Sequence, residues 1–268
     1  MIDAAADTLL PAAQKFCSMC GTPAPTEGFV CTPCAARLDA RIASTDLAPP
    51  RTNLGGSLAL YFSLLAVCIG GRLVSEALPG TTPVRDLVRF DALGACLISI
   101  IVLAFCFARW RDIRPALLKV GHVAWYASAV AGGLATFLFA SAIMSFLHDH
   151  VGVRLYDMTS AYRAAGSPLW LPILTMAVQP AVFEELAFRG FIDSSFRKVL
   201  GPIESLLLTA FLFVFLHLSV LAAIHLLTIA IALGIIRRKS GSLYPCMLLH
   251  FTHNTLVLGH EMLRGGHP

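Results

Sequence analysis

From residue 57 onward the chain alternates long apolar runs with short polar connections. The runs cover residues 57–74, 90–107, 122–147, 169–192, 203–220, 221–236 and 242–258. Each approaches the ~20 residues that an α-helix needs to cross a hydrocarbon core. A helix satisfies its own backbone inside lipid, so the pattern predicts an all-α fold, a polytopic transmembrane bundle of about seven spans. Gly70-Gly71 and Gly132-Gly133 fall within or beside spans, where small residues let helices approach closely. The segment 148–167 mixes Val151, Val153, Leu155, Tyr156 and Met158 with charges, a pattern for lying on the outer membrane surface.

Composition agrees. Of 268 residues 57% are hydrophobic and 13% charged, and the mean hydropathy of +0.74 is too high for a soluble domain of this size. The net charge of +4 is modest and sits mainly in alternate connections, so it reports on topology, and no nucleic-acid partner is expected. Arg109, Arg111, Arg114 and Lys119 follow the second run, Arg197 and Lys198 the fourth, and Arg237, Arg238 and Lys239 the sixth. With the N-terminus in the cytoplasm all three clusters fall on the cytoplasmic side, although Arg85 and Arg89 lie in the first outer loop. The expectation is an integral, multi-pass membrane protein. No secretory signal peptide is visible, because Asp3 and Asp7 precede only a short apolar run.

Ahead of the spans stand two Cys-x-x-Cys pairs, Cys17 with Cys20 and Cys31 with Cys34, separated by turn formers such as Gly21, Pro23, Pro25 and Gly28. Four thiolates enclose a tetrahedral zinc, and a segment this short has no apolar core to fold around otherwise. Residues 1–40 therefore read as a cytoplasmic zinc-ribbon-like knuckle with a structural zinc, available to a soluble partner. The alternative is a redox-active or disulfide-bonded pair, which calls for an oxidising compartment. Residues 41–56 read as a linker and 57–268 as the membrane domain. The scattered Cys68, Cys96, Cys106 and Cys246 read as small buried hydrophobes.

Ionisable side chains at membrane depth are costly, so each is a site hypothesis. The fourth run contains Glu184, Glu185 and Arg189. On a helix Glu185 and Arg189 are four apart and neutralise each other, while Glu184 is turned about 100° away without that partner. Pro180, one turn earlier, frees a backbone carbonyl and can bend the helix. The fifth run carries His217 one turn after Phe213, and the seventh carries His250 and Asn254 on one face. Counted at 1.5 Å per residue from the cytoplasmic ends, Glu184, His217, His250 and Asn254 lie at about 20, 22, 13 and 20 Å. His225 and Thr228 read as helix–helix hydrogen-bonding residues, His253 as a backing contact for His250, and Trp110 and Trp170 as interfacial anchors.

Glu184-Glu185-x-x-x-Arg189, Phe213-x-x-x-His217 and His250-x-x-x-Asn254, in that order, resemble the three motifs of the intramembrane CAAX-protease and bacteriocin-processing (abortive-infection) family, and Gly241-Ser-Leu-Tyr-Pro245 resembles the lead-in to its third motif. The resemblance covers residues 169–258. It implies a membrane-embedded endopeptidase acting on membrane-associated peptides or proteins, prenylated CAAX-type substrates among them. By the same resemblance Glu184 and His217 polarise the attacking water, His250 and Asn254 bind the oxyanion, and Glu185 and Arg189 support the site. A catalytic metal between Glu184, His217 and His250 is the alternative to a metal-free, glutamate-activated water. The chain lacks the His-Glu-x-x-His helix common among zinc peptidases, which leans the reading to the metal-free form. The rival functions are a catalytically silent immunity, chaperone or scaffold protein of the same family, and a transporter using the buried acid as a proton relay.

Overall fold

The computed structural model describes residues 22, 31–34, 36, 54–153, 157 and 159–264. The chain divides into two units, residues 1–51 and 52–268. In the first, Cys31 and Cys34 are buried about one helical turn at 32–34, and the Cys34 N–H donates to the Cys31 carbonyl at 2.9 Å. Cys17 and Cys20, the other half of the expected knuckle, lie outside the described residues, as does most of the expected linker.

In the second unit each apolar run lies on a helix. The helices are α1 Leu54–Ala77, α2 Val84–Ala108, α3 Trp110–Leu117, α4 Ala124–Val151 and α5 Ser160–Ala164. They continue with α6 Trp170–Phe196, α7 Pro202–Leu216, α8 Ala223–Ser240 and α9 Tyr244–Arg264. Four of them, α1, α2, α4 and α6, are long and apolar enough to cross a membrane. Helix α7 is apolar but has 15 residues, and α8 and α9, with 18 and 21, are diluted by Arg237-Arg238-Lys239 and by His250, His253 and Asn254.

Helix α6 is the axis: α1, α2, α3, α7 and α9 all pack on it. Leu60 and Leu64 of α1 meet Phe188 and Ile192 of α6 and Phe213 of α7 in one cluster, and Ala129, Ile229, Leu233, Cys246 and Leu249 join α4, α8 and α9 in a second. Lipid is as apolar as these side chains, so their packing gains close dispersion contact more than removal from water. That makes small residues decisive. A Cβ on Gly133 would stand 2.7 Å from Thr252 Cβ and 2.9 Å from the Leu249 carbonyl oxygen, so α4 and α9 touch backbone to backbone at the level of His250 and His253. Gly70 and Gly71, expected to do likewise, face open space.

The turn between α8 and α9 sets the register of the histidines. Gly241 adopts φ +65°, a left-handed conformation that ends α8. The Ser240 hydroxyl accepts the Ser242 N–H at 3.1 Å, Ser242 accepts the Tyr244 N–H at 3.3 Å, and Pro245 stands in the first turn of α9. Of the segment expected to lie flat on the membrane, Leu155, Tyr156 and Met158 lie outside the described residues; nearby Tyr162 is buried, donates to Asp91 of α2 and lies 3.0 Å from the Thr175 hydroxyl. Thr228 bonds its own helix at Ile224 rather than a neighbour, and the buried Nδ1 of His225 finds no partner among the described residues.

Candidate active site

Two π-helical stretches, Leu174–Val178 and Leu186–Ile192, bracket the seven-residue α-segment Gln179–Glu185 in α6. A π-turn accommodates an extra residue, and such stretches gather at functional sites. Pro180 opens the α-segment and has no N–H for the carbonyl four residues back, that of Met176. The Asn254 amide of α9 takes that carbonyl instead, Nδ2 donating at 3.0 Å.

Glu185 points into the bundle. Its Oε1 accepts Arg189 Nη1 at 3.0 Å and also His250 Nδ1 at 3.0 Å. Arg189 Nη2 donates to the Ala230 carbonyl of α8 at 3.0 Å, and its guanidinium lies 4.8 Å from the centroid of the Phe213 ring. Glu185 and Arg189 are 0% and 1% exposed. In a pair this deep the mutual attraction and the bonds to His250 and Ala230 offset the desolvation penalty, while Glu185 Oε2 and Arg189 Nε stay without a partner among the described residues. Glu184, the next residue back, is half-buried and differently placed. Its Oε2 is buried with no hydrogen-bond partner among the described residues.

The histidines are fixed through Nδ1. A carboxylate accepts only, so His250 donates from Nδ1 to Glu185, and the neutral ring presents a bare Nε2. A carbonyl also accepts only, so His217 donates from Nδ1 to Phe213 O at 2.9 Å and likewise presents Nε2 as an acceptor. The Phe213 centroid lies 4.9 Å from the His217 ring and 6.0 Å from the His250 ring. One aromatic ring is therefore flanked by Arg189, His217 and His250. His217 is not mid-helix, as the run 203–220 implied. It caps α7 and is exposed, because Leu218 turns to φ +51° and the helix cannot continue. His253 is buried, its Nδ1 donating at 3.0 Å to Thr136 Oγ1, whose own proton goes to the Gly132 and Gly133 carbonyls. It anchors α9 to α4.

Residues 166–256 match the family model described as type II CAAX prenyl endopeptidase Rce1-like. Across those residues the chain is similar to the CAAX-protease and bacteriocin-processing family. No curated protein and no solved structure matches the chain. The family is one of membrane proteases, and Glu184, Glu185, Arg189, His217, His250 and Asn254 all fall within the matched segment. Within this matched segment the structure joins Glu185, Arg189 and His250 by direct bonds and gathers His217 about the same aromatic ring. Glu184 bonds to neither histidine, and Asn254 reaches Met176 rather than His250. Among the described residues no three His, Cys, Asp or Glu side chains stand close enough to share one metal ion, so Glu184, His217 and His250 as placed do not make a cage.

Sequence reasoning paired Glu185 with Arg189 alone and missed its bond to His250, since nothing in the spacing of two distant helices foretells it. The Met176 carbonyl was legible in principle, being four residues before a helical proline. Thr136 and Leu218 carry no signal of their own.

Proposed function

We propose that the chain is an intramembrane endopeptidase that hydrolyses peptide bonds in membrane-associated substrates, prenylated CAAX-type segments being the class its family suggests. The observation that supports this most is the contrast between adjacent acids. Glu185 Oε1 is taken by both Arg189 and His250, whereas Glu184 makes no side-chain hydrogen bond among the described residues, although each acid keeps a buried Oε2 with no partner. A buried polar atom left unpaired in a native fold calls for a ligand, and a water or a substrate amide supplies one.

In the proposed reaction Glu184 and the bare Nε2 of His217 hold one water between them. As its oxygen bonds to the scissile carbonyl carbon, its proton passes to this pair, and the carbonyl oxygen becomes an oxyanion. Asn254 Nδ2 has a second N–H beyond the one given to Met176, and that N–H meets the oxyanion. His250 donates from Nε2 when its ring carries both protons, the Glu185 carboxylate receiving Nδ1–H. Collapse of the intermediate breaks the C–N bond, and the proton held by Glu184 and His217 goes to the departing amine. Arg189 fixes Glu185, and through it the His250 ring.

All seven long helices cross the membrane in this reading, with the N-terminus cytoplasmic and Cys17, Cys20, Cys31 and Cys34 holding a structural zinc as a knuckle for a soluble partner. The test uses purified full-length protein in detergent and a farnesylated CAAX peptide. Mass spectrometry should find peptide products carrying one oxygen from ¹⁸O-labelled water, and His217→Ala should remove them at unchanged unfolding temperature. Peptide binding without cleavage would favour a silent scaffold.

A further inference from the structure

Arg237 lies two turns beyond Ala230 on the inward face of α8, toward the helix end, and is 7% exposed. Among the described residues its guanidinium has no hydrogen-bond or ion-pair partner, and Nε is fully enclosed. The carboxylate in its neighbourhood is already taken. Asp193 Oδ1 accepts Arg238 Nη2 at 2.8 Å and Oδ2 faces Arg197 Nε at 3.1 Å. Arg238 also donates to Ser205 Oγ at 2.9 Å and to the Pro202 carbonyl. Glu204 is exposed on the first turn of α7 and folds back over Gly201. Around Asp193, three guanidiniums thus meet one carboxylate and two positive charges stay unbalanced.

Topology accounts for basic residues at a membrane boundary, but those remain in water, as Lys198 and Arg197 do. Arg237 does not. A guanidinium largely withdrawn from water and given no acceptor pays a desolvation penalty that an anion at its open edge would offset. Its planar fork of donors matches the oxygens of a phosphate, and neighbouring cations deepen the attraction.

We propose that Arg237, with Arg197 and Arg238 beside it, forms a binding site for one phosphate group at the end of α8, supplied by the headgroup of an anionic phospholipid. The assignment is independent of the peptidase reading. Binding the folded protein alone, such a lipid raises its unfolding temperature.

The experiment compares full-length wild type with Arg237→Met and Arg237→Lys in neutral detergent and phosphate-free buffer. Phosphatidylglycerol, phosphatidylcholine or inorganic phosphate is then added, with native mass spectrometry reading retained lipid. Wild type should gain several degrees with phosphatidylglycerol and retain about one lipid. It should gain nothing with phosphatidylcholine, whose phosphate is balanced by its own choline. Arg237→Met should unfold at or above the wild-type temperature without added lipid, because an unneutralised buried charge has been replaced by apolar volume, and should gain nothing with phosphatidylglycerol. Arg237→Lys should keep part of the gain. An equal gain from inorganic phosphate would support the site and assign it to a free anion. Equal gains in wild type and Arg237→Met, or an Arg237→Met chain markedly less stable than wild type in lipid-free buffer, would overturn the proposal.

Discussion

Asn254 donates its side-chain amide to the Met176 carbonyl at 3.0 Å, the oxygen that Pro180 leaves without a backbone donor. The helix break and its repair come from opposite ends of the matched segment, so a residue expected to face substrate is also a strut between α9 and α6. Held in this way, the amide has one N–H fixed and the other aimed by that bond. Such preorganisation is what stabilisation of a developing charge requires.

A double-mutant cycle tests the strut. Asn254→Ala should cost about 1–3 kcal/mol, the penalty for stranding a buried carbonyl. In a Pro180→Ala background residue 180 regains its N–H, and the same substitution should cost roughly 1 kcal/mol less. Denaturant unfolding in detergent measures both. Additive effects would mean that the amide and the proline act separately.

The adjacent acids should separate in stability. Glu185→Gln leaves Arg189 buried without a counter-charge and His250 without its anionic acceptor, and should destabilise by about 3–5 kcal/mol. Glu184→Gln removes no bond present in the structure and should shift stability by less than about 0.5 kcal/mol. Thermal unfolding of the two variants reads the contrast.

Leu218 holds a left-handed conformation directly after His217. A β-branched residue tolerates it worst, so Leu218→Ile should destabilise by about 1–3 kcal/mol and lower turnover by moving the imidazole. Leu218→Gly, which relieves the constraint, should retain turnover. Peptide cleavage by the two variants measures this, and equal losses would show the conformation to be incidental.

Close approach of α4 and α9 predicts that Gly133→Ala wedges them apart, costing about 1–3 kcal/mol and displacing His250 and Asn254. Gly71→Ala, with open space around it, should be neutral. Unfolding temperature and peptide turnover together report the outcome.

The N-terminal cysteines are tested by elemental analysis. Purified protein should carry about one zinc per chain, lost in Cys31→Ser. Zinc-free wild type of full stability would return the pairs to thiol or disulfide chemistry.

How far the sequence foretold this arrangement depends on the range of the signal. Helix positions were legible, since runs such as 57–74 and 122–147 match α1 and α4 to within about four residues. The Glu185–Arg189 bond is local, four residues along one helix, and follows from spacing. Contacts between distant helices do not follow: His250 with Glu185, Asn254 with Met176 and His253 with Thr136 each join separate elements. The end of α7 at Leu216 was hidden because Leu218 and Val220 are as apolar as the span before them, and backbone handedness leaves no trace in hydropathy. Tyr162 was concealed likewise, its burial under Asp91 and Thr175 arising from an otherwise polar connection.

The central claim is that Glu184, not Glu185, is the acid that activates water. Single-turnover cleavage of a farnesylated CAAX peptide by Glu184→Gln tests it most directly, with the unfolding temperature measured on the same preparation. The account predicts a rate at least ~100-fold below wild type, the lower bound for losing a general base, at an unchanged unfolding temperature. A rate within about threefold of wild type, well inside that bound, would contradict it.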